Sequence, residues 1–177
     1  NQIVALTTAQ LSAGLNTDQV VALTTAQVAN LGTAQVQALN TDQIAAIETR
    51  HVVALTMTQM KALSTDQIAV LTTDQAAALK THQVAALGTQ QIAALSTDDV
   101  AALTTASLGA LNSDQLSKGF NTDQIAALTT AQVAALATAS VQALSTTQVA
   151  LGLNSDQIVA LTTAQVQALS TTVIGDL

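Results

Sequence analysis

The sequence predicts an all-α solenoid, a superhelix of very short helices with one helix in each eight-residue repeat. Three observations predict it: leucine recurs every eight residues, a helix-capping pattern opens each repeat, and no linker or change of composition interrupts the series. Tandem units that each contact only their neighbours are the mark of a solenoid. We therefore expect residues 1–177 to form a single repeat domain.

Each repeat ends on a leucine or on a residue that replaces it. The spacing is eight residues except in three units of nine, which end at Leu15, Phe120 and Leu153. This gives 22 units, the first incomplete, with the consensus [TSN]-T-[DA]-Q-[VI]-x-A-L. One long helix is excluded, because each leucine would be rotated about 80° from the previous one. A β-solenoid is disfavoured, because Gln and Ala are poor strand formers and turn residues are scarce.

The start of each unit has the pattern of a helix start. Ser, Thr or Asn followed three residues later by Gln is a capping box, and the preceding leucine with the following Val or Ile forms a hydrophobic staple. Each octad should therefore hold one helix of roughly five to seven residues, too short to be stable without its neighbours. Glutamine fills its column in 17 of the 22 units; the exceptions are His51, Asp99, Ser107, Ser140 and Val173.

A longer period of 24 residues is visible in the unit starts, because Asp18, Asp42, Asp66 and Asp114 follow that spacing. It favours three helices per coil and about seven coils, although a coil of two helices also fits the sequence. With roughly 8–10 Å between packed helices, the array would form a rod on the order of 60 Å long. We expect the Val/Ile, Ala and Leu columns to face inward, and Thr, Asp, Gln and the sixth position to face solvent.

The nine-residue units contain an added glycine just before the column residue. The three glycines are Gly14, Gly119 and Gly152. Glycine just past a helix end commonly adopts the left-handed conformation of a Schellman turn, so we predict a fuller joint that changes the coil's angle or bulges outward. The helix after each joint should be capped by an asparagine: Asn16, Asn121 and Asn154.

The Asn-x-Asp pairs at these joints are the best candidates for a metal site, through Asp18, Asp123 and Asp156. A calcium site needs about six to eight oxygen ligands. Each unit offers one Asp and one Asn and then becomes an apolar helix, so helix capping explains the pairs better. The sequence predicts no metal and no cofactor.

No arrangement of residues predicts catalysis. His51 and His82 replace residues of the surface type, and the acidic pair Asp98-Asp99 fits a solvated helix start. A serine or threonine nucleophile would need a base and a residue that orients it. We expect a protein that is not an enzyme.

Composition limits the partners. Only 8% of the residues are charged and the net charge is −7, which argues against nucleic acid and anionic membrane surfaces. No apolar run approaches the roughly 18 residues of a membrane span. The chain opens in mid-pattern, which favours a piece of a longer array.

Strings such as LTTAQVQAL and STDQIAALTTAQVAAL resemble the octapeptide arrays of very large repetitive bacterial secreted and surface proteins, which are often adhesin-like. The resemblance covers essentially the whole chain. It implies a secreted or cell-surface location and a non-enzymatic role as an extended scaffold or spacer.

Two other functions fit the sequence. One is a solenoid surface that binds a specific protein. The other is ice binding by ladders of threonine, although the first Thr/Ser column is broken at five places and the second at Met57. The array could also stack end to end with itself, because neither end is clearly polar.

Overall fold

The computed structural model describes residues 2–169, which fold as a continuous stack of short helices. A 3₁₀ turn at Gln2–Ala5 comes first, and a π-helical turn at Gln148–Gly152 separates the last two helices from the rest. The helices, in chain order, are α1 (Thr8–Ser12), α2 (Thr17–Val21), α3 (Thr25–Ala29), α4 (Thr33–Ala38), α5 (Thr41–Ala46), α6 (Thr49–Val52), α7 (Met57–Ala62), α8 (Thr65–Ala69), α9 (Thr73–Ala78), α10 (Thr81–Val84), α11 (Thr89–Ala93), α12 (Thr97–Ala102), α13 (Thr105–Gly109), α14 (Ser113–Gly119), α15 (Thr122–Ala126), α16 (Thr130–Ala135), α17 (Thr138–Gln142), α18 (Ser155–Ala160) and α19 (Thr163–Ala168).

Each helix begins and ends within one repeat, as α8 illustrates. Ser64 is extended (φ −73°, ψ 163°), and its hydroxyl accepts a hydrogen bond from the Gln67 N–H at 3.1 Å. The Gln67 side chain reaches back, and its Oε1 accepts from the Ser64 N–H at 2.9 Å. One turn later the Leu71 N–H bonds to the Ile68 carbonyl at 3.1 Å, and the next cap, Thr72, is extended again (φ −80°, ψ 156°). The repeat therefore encodes both ends of its own helix.

Three helices make one coil, as the 24-residue spacing predicted, and the alternative of two helices is wrong. Each helix packs on the helix three places further along the chain, so the array consists of three parallel stacks. Stack A holds α2, α5, α8, α11, α14, α17 and α19. Stack B holds α3, α6, α9, α12, α15 and the π-helical turn, and stack C holds α1, α4, α7, α10, α13, α16 and α18.

The core runs along the axis of the three stacks and comes from the two apolar columns. The Val/Ile column is buried in almost every coil, as at Val36, Ile68 and Val133, and so is the leucine column. Phe120, the one aromatic residue, occupies a leucine position and is equally buried. The inward placement of the Val/Ile and Leu columns is thus confirmed.

The expectation that glutamine faces solvent is wrong. From Gln35 onward the glutamine column is buried, and each glutamine bridges two coils. The Gln67 Nε2 donates to the carbonyls of Val36 (2.9 Å) and Leu39 (2.7 Å), at the end of the unit four repeats earlier. Thirteen residues make such bonds, here called the glutamine ladder: Gln35, Gln43, Gln59, Gln67, Gln75, Gln83, Gln91, Gln115, Gln124, Gln132, Gln148, Gln157 and Gln165.

The glycines of the nine-residue units do not adopt the predicted left-handed conformation. No glycine in residues 2–169 has a positive φ. Gly119 and Gly152 are buried, and the extra residue lengthens the helix in α14 and forms the π-helical turn in the third unit. A Cβ on Gly119 would lie 3.0 Å from the Ile92 Cγ2, and one on Gly152 would lie 3.1 Å from the Ile125 Cγ2. The two glycines thus allow close packing on the coil below, and no outward bulge forms there.

In the first nine-residue unit, the extra residue at Gly14 is accommodated by contacts within the unit itself. Gly14 is exposed, and its N–H bonds to the carbonyl of Gln10 in its own unit at 3.1 Å. A Cβ there would lie 2.5 Å from the Gln10 carbonyl oxygen. Glycine is therefore required at this joint, because the Gln10 carbonyl lies too close to Gly14 to leave room for a side chain.

We expect Gln67→Glu to lower the free energy of unfolding by about 2–4 kcal/mol, because it replaces a donor to two carbonyls with a buried acceptor. Gln19→Glu is the matched control. Gln19 also accepts from its cap N–H, but it is exposed and donates to no earlier coil, so we expect a change within about 0.5 kcal/mol. Urea unfolding followed by circular dichroism measures both. Equal losses from the two variants would contradict the coil-bridging role.

We expect Gly119→Ser to destabilise the protein by about 1–3 kcal/mol, because the new Cβ overpacks the buried Ile92. Gly88→Ser is its control, because the nearest atom to a new Cβ there is the Gln91 Oε1 at 3.6 Å. That serine would add a missing side-chain cap and should stabilise α11 by only a few tenths of a kcal/mol. A change this small is close to the precision with which the two unfolding free energies can be compared. Thermal unfolding would decide; a neutral Gly119→Ser would show that the joint tolerates a side chain.

Candidate functional site

The first three residues of each repeat form the most exposed part of the surface. Because the helices stack in three columns, these residues line up into three ridges, named A, B and C after their stacks. The first residue of each triplet caps the helix, while the second and third start it. The ridges therefore present hydroxyls and charged groups from a rigid backbone.

Charge is distributed unequally among the ridges. Ridge A carries Asp18, Asp42, Asp66 and Asp114. Ridge B carries Glu48, Asp74, Asp98 and Asp123, and Arg50, which pairs with Glu48 at 2.6 Å. Ridge C carries Asp156 together with the cationic Lys80 and with His82 near its middle. The 24-residue spacing indicated the acids of ridge A, but the partition of the nine acids among the three ridges follows from the threefold stacking.

The three candidate metal-binding aspartates are not brought together. Asp18, Asp123 and Asp156 lie on ridges A, B and C respectively, each in the first turn of its helix. In residues 2–169 no group of three or more His, Asp or Glu side chains is placed to hold a metal ion. Their position at the helix N-terminus favours a negative charge, which accounts for the residue type.

The asparagines beside them cap helices. The Oδ1 atoms of Asn16, Asn121 and Asn154 accept hydrogen bonds from the N–H of the glutamine three residues later, at 2.9, 2.8 and 3.0 Å. Each glutamine Oε1 accepts in return from the asparagine N–H. The Asn side-chain oxygens are thus occupied by the backbone.

His51 is buried, and the expectation of a surface position is wrong. Its Nδ1 accepts from the Glu48 N–H at 3.3 Å, and its Nε2 lies 2.6 Å from the Leu23 carbonyl oxygen. Because a carbonyl can only accept, the ring is the tautomer protonated on Nε2. The imidazole therefore reproduces both bonds of a ladder glutamine. His82, by contrast, is exposed on ridge C, as the sequence indicated.

The acidic pair Asp98-Asp99 is split between surface and interior. Asp98 is exposed on ridge B, but Asp99 stands in the glutamine column and is buried, so the prediction of a solvated pair is wrong for Asp99. The Asp99 Oδ2 accepts from the Ser96 N–H at 3.3 Å. The two carboxylates point to different environments and do not form a general acid and base pair.

A groove opens on the surface beside α10, α11 and α14. It has a volume of about 640 Å³ and lies between the end of α10, the start of α11 and the start of α14. Gly88, which has no side chain to fill the space, is among the residues that line it, and Lys61 and Asp114 in the lining supply opposite charges. Asp114 is also paired with Lys118 at 2.7 Å. The sequence analysis did not predict this groove, and glycine at the cap position of α11 is the one feature of the sequence that relates to it.

None of the helices between residues 2 and 169 combines the length and apolar character of a membrane span. The few exposed large apolar side chains include Met57 on ridge C and Val159 on α18.

The hexapeptide Ala-Leu-Thr-Thr-Ala-Gln occurs unchanged at 5–10, 22–27, 127–132 and 160–165. A family model described as the ALTTAQ repeat matches six overlapping stretches: residues 21–49, 44–81, 77–105, 94–130, 119–151 and 130–163. Curated proteins gave no match to the chain. Together the six stretches run without a gap through more than half of the sequence, in the same part of the chain that forms the three stacks. The chain belongs to the ALTTAQ repeat family.

Proposed function

We propose that this array is a non-enzymatic structural module, an extended scaffold or spacer within a large bacterial surface or secreted protein. The observation that carries the proposal is that the same kinds of contact are repeated between successive coils. Thirteen of the seventeen helical segments from α4 to α19, counting the π-helical turn, contribute a ladder glutamine that donates to carbonyls of the coil below, and the same Val/Ile and Leu columns join one coil to the next. Such an array gains length by adding units without a new kind of interface.

The location at the surface is supported by the octapeptide resemblance. Labelling of intact cells by an antibody against the array would test it. Signal that appears only after the cells are opened would contradict a surface location.

Self-stacking end to end is part of the proposal. The exposed Gln10 and Gln19 use their Oε1 atoms for their own caps, which leaves their Nε2 groups free to donate as the ladder glutamines do. At the other side of the stack Val166 is 43% exposed and Ile158 is half-buried, although their column is buried from Val20 to Val149. A second copy placed there would repeat the coil-to-coil contact.

A specific protein partner is the alternative, and the groove at Gly88 favours it. A groove of about 640 Å³ with one cation and one anion is large enough to receive side chains of a partner. A spacer needs no such partner, so the two functions differ in a measurable property.

We expect deletion of residues 64–87, three octads, to leave a folded rod that is shorter by one coil, roughly 8–10 Å. Small-angle scattering at several concentrations gives the length and reveals end-to-end association. Deletion of 64–75 is the control, because it breaks the eight-residue register and should disrupt the stack. Deletion of residues 64–87 also removes the groove residues directly before Gly88. A protein that binds the intact array tightly but does not bind this deletion variant would therefore favour the binding function.

Ice binding is a further candidate, favoured by the second residue of each ridge triplet. In ridge A this position holds Thr17, Thr41, Thr65 and Thr89 in successive coils, all at least partly exposed. Within residues 2–169, Ser113 is the member of this column whose hydroxyl donates inside the protein, to the Ala139 carbonyl at 3.1 Å. The threonine hydroxyls therefore stand in rows that are available to ordered water.

For a scaffold we expect no thermal hysteresis at millimolar protein concentration, because the caps already explain the Thr/Ser content. Nanolitre osmometry makes the measurement. The test variant changes both Thr41 and Thr65 to Val, and the control changes Thr56 and Thr72 to Ser at cap positions. Hysteresis that is lost in the test variant but kept in the control would establish ice binding by ridge A instead.

A further inference from the structure

The glutamine ladder is interrupted at two consecutive helices, α12 and α13. Their ladder positions hold Asp99 and Ser107. The carbonyls that a glutamine would reach from these positions, 28 residues earlier, are those of Leu71 and Leu79. Both leucines belong to the buried core.

Asp99 supplies no donor to the coil below. It is 2% exposed, and its carboxylate accepts from the Ser96 N–H. Among residues 2–169 this bond, inside its own repeat, is the one that the Asp99 carboxylate makes. Within residues 2–169 no side chain donates to the Leu71 carbonyl, whereas the equivalent Leu39 carbonyl receives the Gln67 amide at 2.7 Å.

Ser107 supplies a weak donor at best. Its hydroxyl lies 3.5 Å from the Leu79 carbonyl oxygen, at the limit of a hydrogen bond. It is also too short to return a bond to the cap N–H, and α13 lacks the reciprocal pair that the neighbouring helices have.

The ladder bonds of the two helices that flank α12 and α13 are intact. In α11, Gln91 donates to the carbonyls of Met60 (2.8 Å) and Leu63 (2.7 Å). In α14, Gln115 donates to that of Leu87 at 2.8 Å. The other substitutions in the described ladder are isolated and keep a good bond, at His51 (2.6 Å) and at Ser140, whose Oγ donates to the Leu111 carbonyl at 3.1 Å.

We propose that α12 and α13 form a built-in breakpoint of the solenoid, the coil boundary that opens first under heat, denaturant or tension. Apolar packing of Val100, Leu103 and Leu108 holds the boundary closed in the native state. Gln115 and Gln124 still donate across the α11–α12 junction, to the carbonyls of Leu87 and Leu95. Opening this junction therefore breaks the bonds of two ladder glutamines, whereas opening the α7–α8 junction breaks those of four. The scaffold is thereby divided into two blocks, one ending with α11 and one beginning with α12.

Native-state hydrogen exchange tests the breakpoint. We expect the amides of α12 and α13 to exchange at least about ten times faster than those of α8, α9, α15 and α16, which open with their ladder bonds intact. The double variant Asp99→Gln/Ser107→Gln should restore the donors to Leu71 and Leu79 and slow exchange in α12 and α13 by a similar factor. Ala93→Gln is the control, since it adds the same side chain at an exposed position of α11 and should change nothing.

A second variant keeps the test decisive if the repaired ladder does not fold. Gln124→Asp/Gln132→Ser should create a new breakpoint and speed exchange about tenfold in α15 and α16 alone, because these glutamines now donate to Leu95 and Leu103 at 2.7 Å. Equal amide exchange rates along the whole wild-type array would overturn the proposal. So would a Gln124→Asp/Gln132→Ser variant in which exchange is faster in every helix. Neither result would bear on the scaffold function, which coil deletion tests separately.

Discussion

The fold depends on one side chain that satisfies backbone groups at two helix ends. A helix leaves its first four N–H groups and its last four carbonyls without partners inside the helix. In helices of four to seven residues nearly every backbone group is such a terminal group. The ladder glutamine accepts from the N–H that begins its own helix and donates to carbonyls that end a helix in the coil below, as Gln67 does for Ser64, Val36 and Leu39. The short helices are stable because these bonds are made between coils.

The direction of the helical side chain explains why glutamine fits this position. Side chains on a helix point back toward its N-terminus. A residue in the first turn of α8 therefore reaches toward the joint that precedes α5, the helix beneath it, where the Leu39 carbonyl lies. Glutamine has the length to span that gap while its oxygen stays on the cap N–H. Histidine does the same at His51, whereas Asp99 and Ser107 are too short or lack a donor.

The sequence predicts what is local or strictly periodic. The eight-residue unit indicates each helix and its cap, and the 24-residue recurrence of Asp18, Asp42 and Asp66 indicates three stacks. The burial of glutamine could not be predicted, because its second partner lies 28–32 residues away and the capping pattern alone accounts for its presence. The role of Gly119 was missed for the same reason: the atom that excludes a side chain belongs to Ile92, in another coil.

The same division between interior and surface limits where function can reside. Glutamine, Val/Ile and Leu hold the coils together, so variation that leaves the fold intact is confined to the ridge triplets and the sixth residue. There the array is acidic on ridges A and B and nearly uncharged on ridge C. A rod with one neutral ridge meets an anionic surface in a defined orientation, because like charge disfavours contact through the other two ridges. Orientation of this kind requires no pocket and is kept when coils are added, which suits a scaffold better than a site built at one place in the array.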